Sequence, residues 1–179
     1  IIIVSQEGNA IKFNEQDVRP MGRTAAGVKS MNLREDDIAV CMDIAVDDED
    51  LLVISENGFG KRTPLVEYKR QNRGGVGLIT YKISEKTGKV VGATVCKSED
   101  ELMLINTSGV AIRINVSDVS VTSRATMGVR LMRTSEEEKV VAIAKITGNS
   151  DDENEEQLTL EACADNEIDS EDKDTSLER

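Results

Sequence analysis

Leu51-Leu-Val-Ile-Ser-Glu-Asn-Gly58-Phe-Gly-Lys-Arg62 opens a pattern that the chain writes three times. The same order of residue types stands upstream as Ile1-Ile-Ile-Val-Ser-Gln-Glu-Gly8-Asn-Ala-Ile-Lys12, and downstream as Leu102-Met-Leu-Ile-Asn-Thr-Ser-Gly109-Val-Ala-Ile-Arg113. Gly8, Gly58 and Gly109 are 50 and 51 residues apart; Gly27, Gly77 and Gly128 keep those spacings, as do Arg23, Arg73 and Arg124. A third anchor, the apolar pairs beginning near Val40, Val90 and Val141, follows 13 residues after each second glycine, with one residue inserted near Ser98 to Glu101. A fixed period of this length is the mark of a repeat architecture.

Each unit reads as a small antiparallel sheet. A four-residue apolar run meets a glycine turn, and Asn57-Gly58 predicts a type I′ hairpin, which needs two residues tolerant of positive φ. A second strand follows, as in Ala111-Ile-Arg-Ile-Asn-Val116, then strands over Gly77–Ile83 and Val90–Val95. Pro20 and Pro64 fall near loops and interrupt no strand core. Four strands in about 50 residues predict a propeller blade. The expected fold is all-β and propeller-like: blades at 1–50, 51–101 and 102–150, then an acidic, mostly disordered tail at 151–179. Three blades cannot close a ring, and the chain opens inside a strand at Ile1 without an initiator Met, so further repeats are expected upstream.

Composition narrows the function. The chain has no His, which excludes Ser-His-Asp and Cys-His catalysis, and aromatic residues make up only 2%. Cys41, Cys96 and Cys163 are odd in number and widely separated, which argues for reduced structural thiols rather than a disulfide framework or zinc site. Tyr68 and Tyr81 lack a neighbouring base and are read as packing residues. Ser55 to Arg62 lacks the spacing of a phosphate loop and is read as a turn; Asp47 to Asp50 lacks the alternation of a calcium loop and is read as solvated. No metal and no cofactor site is expected. With no run of about 18 apolar residues and no signal peptide, a cytoplasmic protein without membrane contact is expected.

The net charge of −12 is unevenly spread. Residues 1–150 hold 20 Lys and Arg against 21 Asp and Glu, whereas 151–179 hold 2 against 13. The body is therefore near neutral, and its cations recur in register. Lys12, Arg62 and Arg113 occupy one station on the second strand of each unit; Arg23, Arg73 and Arg124 occupy another in the loop that follows. With Lys29, Lys61, Arg70 and Arg130 nearby, these residues are the expected duplex DNA contacts, a rim of charge without the aromatic platforms that single strands require. Because exposed strand charges matter little to stability, reversing Arg62, Arg73, Arg113 and Arg124 to Glu should weaken binding and leave the sheets folded.

Gln71-Asn-Arg-Gly-Gly-Val-Gly77 resembles the heptapeptide box of the C-terminal β-pinwheel of the DNA gyrase A family. It agrees at Gln71, Arg73, Gly74, Gly75 and Gly77 and departs at Asn72 and Val76, where the box is basic; Arg124 to Gly128 and Arg23 to Gly27 look like more degenerate copies. Gly58 to Tyr68, Val18 to Arg23 and Gly128 to Thr134 resemble blades of the same family, and the likeness extends to about residue 148. The resemblance implies wrapping of duplex DNA around the outer edge, in support of ATP-driven negative supercoiling by an enzyme of two A and two B subunits. ATP, magnesium and the DNA-cleaving tyrosine belong to other domains of such an enzyme, so whether this segment is itself an enzyme stays open. The related topoisomerase IV domain and a protein-interaction propeller are the alternatives. The tail is expected either to provide solubility alone or to compete with phosphates for the rim.

Overall fold

The computed structural model describes residues 1–135 and 137–147, all in one compact unit, Ile1–Thr147. The tail expected at 151–179 lies outside the described residues. Eleven strands are present among the described residues: β1 (Ile2–Ser5), β2 (Asn9–Lys12), β3 (Ala39–Asp43), β4 (Asp50–Ser55), β5 (Phe59–Pro64), β6 (Leu78–Ile79), β7 (Val90–Cys96), β8 (Glu101–Asn106), β9 (Ala111–Asn115), β10 (Val129–Arg130) and β11 (Val140–Ile146). Three short 3-10 turns, Glu15–Asp17, Leu65–Glu67 and Val116–Asp118, follow the second strand of each unit.

The strands form three antiparallel sheets, ordered β3-β1-β2-β6, β7-β4-β5-β10 and β11-β8-β9. The expected all-β, pinwheel-like architecture is therefore present, but the sheets do not coincide with the sequence repeats. The outermost strand of the first sheet, β6, comes from the second repeat, and β10 of the second sheet comes from the third. The hydrogen bonds that seat these strands repeat as well. Thr80 and Tyr81 donate backbone N–H groups to the Gly8 carbonyl, as Leu131 and Met132 do to that of Gly58.

The glycines make this exchange possible. Gly128 has φ +73°, and a Cβ there would stand 2.2 Å from the Gly60 carbonyl oxygen of the sheet it joins. Only a residue without a side chain fits so close a backbone approach at positive φ.

Two local expectations are corrected. Asn57 does not have positive φ, so the 55–59 hairpin is not type I′; Gly58 alone does (φ +76°), and its N–H donates to the Ser55 carbonyl. This is the three-residue hairpin, in which a turn is followed by one left-handed residue. The strand expected over Gly77–Ile83 shrinks to Leu78–Ile79, because Thr80 and Tyr81 leave the ladder and bury themselves between sheets. Tyr81 donates to Ser55 Oγ and Tyr68 meets Thr80, so both tyrosines are packing residues, and burial raises both phenol pKa values.

Burial patterns follow from sheet stacking. In β4, Leu51, Leu52, Val53 and Ile54 are all buried, because Leu51 and Val53 pack toward the first sheet with Ile2 and Val4, while Leu52 and Ile54 pack toward the third with Leu102 and Leu104. A strand covered on both faces reads as an unbroken apolar run, and one covered on a single face alternates. β8 alternates, with Met103 and Ile105 half-buried on the face away from the second sheet. The innermost strands β3, β7 and β11 lie side by side in that order.

Candidate nucleic-acid interface

The cations that recur in the sequence divide into two groups with different jobs. Adjacent residues of a strand point to opposite faces, so Lys61 and Arg62 of β5 cannot share one surface. Both are buried. Lys61 Nζ donates to the Ser123 carbonyl at 2.6 Å and also to that of Arg124. Desolvation lowers its pKa to about 8, opposed by the nearby Glu67. Arg62 donates through Nε to the Val119 carbonyl (2.8 Å), through Nη2 to that of Ser117 (3.3 Å) and through Nη1 to Ser98 Oγ (2.9 Å) and Asp50 (3.4 Å).

The expectation that Lys61 and Arg62 sit on an exposed rim is therefore corrected. Their heads satisfy carbonyls of the following unit. Lys12 behaves similarly: its side chain is 11% exposed, and Nζ meets Asp47 at 2.7 Å and the Leu65 carbonyl at 3.0 Å. Asp47, read as solvated, is exposed and pairs with Lys12 from the solvent side; Asp50 is half-buried beside Arg62.

The three second-strand cations do stand at equivalent stations. Lys12 is opposite Ile2, Arg62 opposite Leu52 and Arg113 opposite Met103. Arg113 alone among them is exposed, its side chain 59% accessible and paired with Glu101. The loop station is mixed. Arg23 is exposed, Arg124 is half-buried, and Arg73 donates through Nε to the Asp17 carbonyl (3.0 Å) and through Nη1 to that of Lys29 (3.1 Å).

The remaining candidates line the outer margin. Lys29, Arg70 and Arg130 are exposed. Arg70 bridges to Lys12 beside β2, and Arg130 lies on the outermost strand of the second sheet, over the Phe59 ring at 5.0 Å. Sequence reasoning missed Lys86, whose Nζ stands 5.3 Å from the centre of the same ring. A groove of about 450 Å³ has both Arg113 and Arg130 in its lining, together with Glu101 and Asp118.

The loop Gln71–Gly77 is bound to the loop of the first unit. Gln71 N–H donates to the Lys12 carbonyl, Gly74 N–H to Ser30, and Asn32 N–H returns to Gly75. Gln71, Arg73, Gly74, Gly75 and Gly77 are half-buried; Asn72 and Val76 are exposed.

The sequence profile described as "DNA gyrase C-terminal domain, beta-propeller" matches residues 1–40, 49–97 and 100–147. The chain belongs to the DNA gyrase C-terminal domain family. It is 54% identical over 152 residues to the DNA gyrase A subunit of Clostridium acetobutylicum, covering 85% of this chain and 18% of that protein. It is 43% identical over 159 residues to that of Staphylococcus aureus, covering 88% and 18%. The chain thus spans less than a fifth of the curated relatives it matches. Among solved structures, the C-terminal domain of DNA topoisomerase IV superposes with a TM-score of 0.79 at 27% identity, over 90% of this chain and 50% of that one. The DNA gyrase A C-terminal domain superposes with 0.72 at 30% identity, over 81% and 50%.

Membership in the gyrase C-terminal family gives the box-like loop a physical reading. Gln71 and Gly74 hold the loop down through backbone N–H groups and Arg73 through its guanidinium, while Asn72 and Val76 face solvent. No helix among the described residues is long and apolar enough to cross a membrane, and no three His, Cys, Asp or Glu side chains among them gather as metal ligands.

Proposed function

We propose that this chain binds duplex DNA without reading its sequence and bends it along the outer edge of the stacked sheets. In the parent protein this segment would supply part of the wrapping surface of a gyrase that introduces negative supercoils. Breakage of DNA, ATP and magnesium binding, and assembly of two A with two B subunits, would belong to the rest of that cytoplasmic enzyme. The observation that carries the reading is the placement of exposed Lys29, Arg70, Arg113 and Arg130 on the outer strands and loops of successive sheets. Phosphate contacts of this kind position a duplex and carry no sequence information.

The degenerate loop favours a second reading within the same family, the topoisomerase IV type of domain, because Asn72 and Val76 leave it uncharged where it is exposed.

Salt titration tests DNA binding. With about six phosphate contacts, affinity for a random duplex should fall roughly 10³-fold between about 50 and 200 mM salt. A flat profile would overturn the proposal and favour a protein-interaction propeller.

A further inference from the structure

We propose that Lys12 and Arg62 are blade latches, positioning residues that fix the angle between successive sheets and so the curvature of the outer edge. The inference rests on the DNA-bending reading and assigns these residues no contact with DNA. Both occupy one station on the second strand, and both cross to the next unit. Lys12 donates to the carbonyl of Leu65, the first residue of the 3-10 turn Leu65–Glu67. Arg62 donates to Ser117, within the equivalent turn Val116–Asp118, and to Val119, which caps it.

Each latch is backed by acid or hydroxyl groups that hold its head in line. Asp47 supports Lys12; Asp50 and Ser98 support Arg62. The Leu65 carbonyl accepts the Tyr68 N–H that closes its turn as well as Lys12 Nζ, and a charged donor makes a stronger hydrogen bond than a neutral one. The same turns sit beneath Tyr68 and Val119, both buried in the contact between sheets. A shift of either turn therefore moves the packed interface.

Arg113 supplies an internal control. It holds the same station in the third sheet, yet it faces away from the second sheet with Met103, is largely exposed and pairs within its own sheet to Glu101. The station itself does not decide whether a cation is a latch or a surface charge; what matters is whether the turn of another unit stands in front of it.

The test uses the whole 179-residue chain carrying Lys12→Met, Lys12→Arg, Arg62→Met or Arg113→Met. Two readouts are taken: hydrogen exchange of the turn amides, and bending plus salt dependence of a fluorophore-labelled duplex. Lys12→Met should accelerate exchange at Tyr68 N–H roughly tenfold or more, the equivalent of one lost hydrogen bond. It should also lower the DNA bend while leaving the slope of log affinity against log salt unchanged, and Lys12→Arg should restore both readouts. Arg113→Met should do the reverse, lowering the slope by about 0.9, one phosphate contact, with exchange unaltered.

A fall in slope for Lys12→Met would make Lys12 a phosphate contact and overturn the latch, as would unchanged exchange at Tyr68. Arg62→Met removes more partners; if it unfolds, Lys12→Met and Lys12→Arg carry the decision. If the unmodified chain fails to bind DNA, the functional reading falls, while exchange at Tyr68 still decides the latch.

Discussion

Arg62 on β5 places its Nε 2.8 Å from the carbonyl of Val119, a residue 57 positions further along the chain. Its guanidinium is spent on the next unit, as a planar donor fork can be when several acceptors converge on it. Arg62→Glu would leave the Ser117 and Val119 carbonyls without their donor and set a carboxylate beside Asp50. Loss of about 3–5 kcal/mol is expected, as when one partner of a buried charge pair is removed. Arg113→Glu, on an exposed strand position, should cost less than about 1 kcal/mol. Urea denaturation of the two variants against the parent measures the contrast, and equal losses would mean that burial at this station is not the deciding factor.

Lys61 gives a pH prediction with a definite sign. Its folded pKa of about 8 lies below the ordinary 10.5, so the unfolded chain binds the extra proton between those values and stability from this group rises with pH across that window. Lys61→Met removes the titration together with two carbonyl partners. The stability gap between parent and Lys61→Met should therefore widen from about pH 8 toward pH 10. Denaturation curves at matched ionic strength would read it, and a narrowing gap would contradict the assigned desolvation.

The box-like loop predicts a gain of function. Asn72 and Val76 are exposed on a loop already fixed through Gln71, Arg73 and Gly74. Asn72→Lys with Val76→Lys should raise duplex affinity and steepen the salt slope by up to about 0.9 for each new phosphate contact. Unchanged affinity at low salt would place this loop away from the DNA path.

Strand exchange predicts unequal costs for equivalent glycines. Gly128→Ala would drive a Cβ into the Gly60 carbonyl, whereas Gly109, at φ +80°, has open space around it. The second substitution should cost about 1–2 kcal/mol from backbone strain alone. Gly128→Ala should cost more and release β10, seen as faster amide exchange at its ladder with β5.

How much of this was legible follows from what short-range pattern encodes. The repeat, the hairpins and the equivalent stations of Lys12, Arg62 and Arg113 are periodic, and periodicity survives in a one-dimensional string. The exchange of β6 and β10 is not periodic information: a two-residue strand has no pattern of its own, and its partner is set by packing between units. The inward turn of Lys61 was half legible, since two consecutive strand residues face opposite ways. That Arg62 is also buried depended on β5 being covered on both faces, and the flanking sequence shows that only indirectly, in the unbroken run Leu51-Leu-Val-Ile54. Cys96 is a free, buried thiol, its pKa pushed up to about 12 by burial.

Closure of a nicked DNA circle by ligase in the presence of the chain tests most directly whether DNA follows the curved outer edge. Wrapping should shift the linking-number distribution of the closed products in one direction, by an amount that grows with protein and vanishes at high salt. A distribution identical to that of protein-free ligation, at protein concentrations that saturate the circle, would contradict the account.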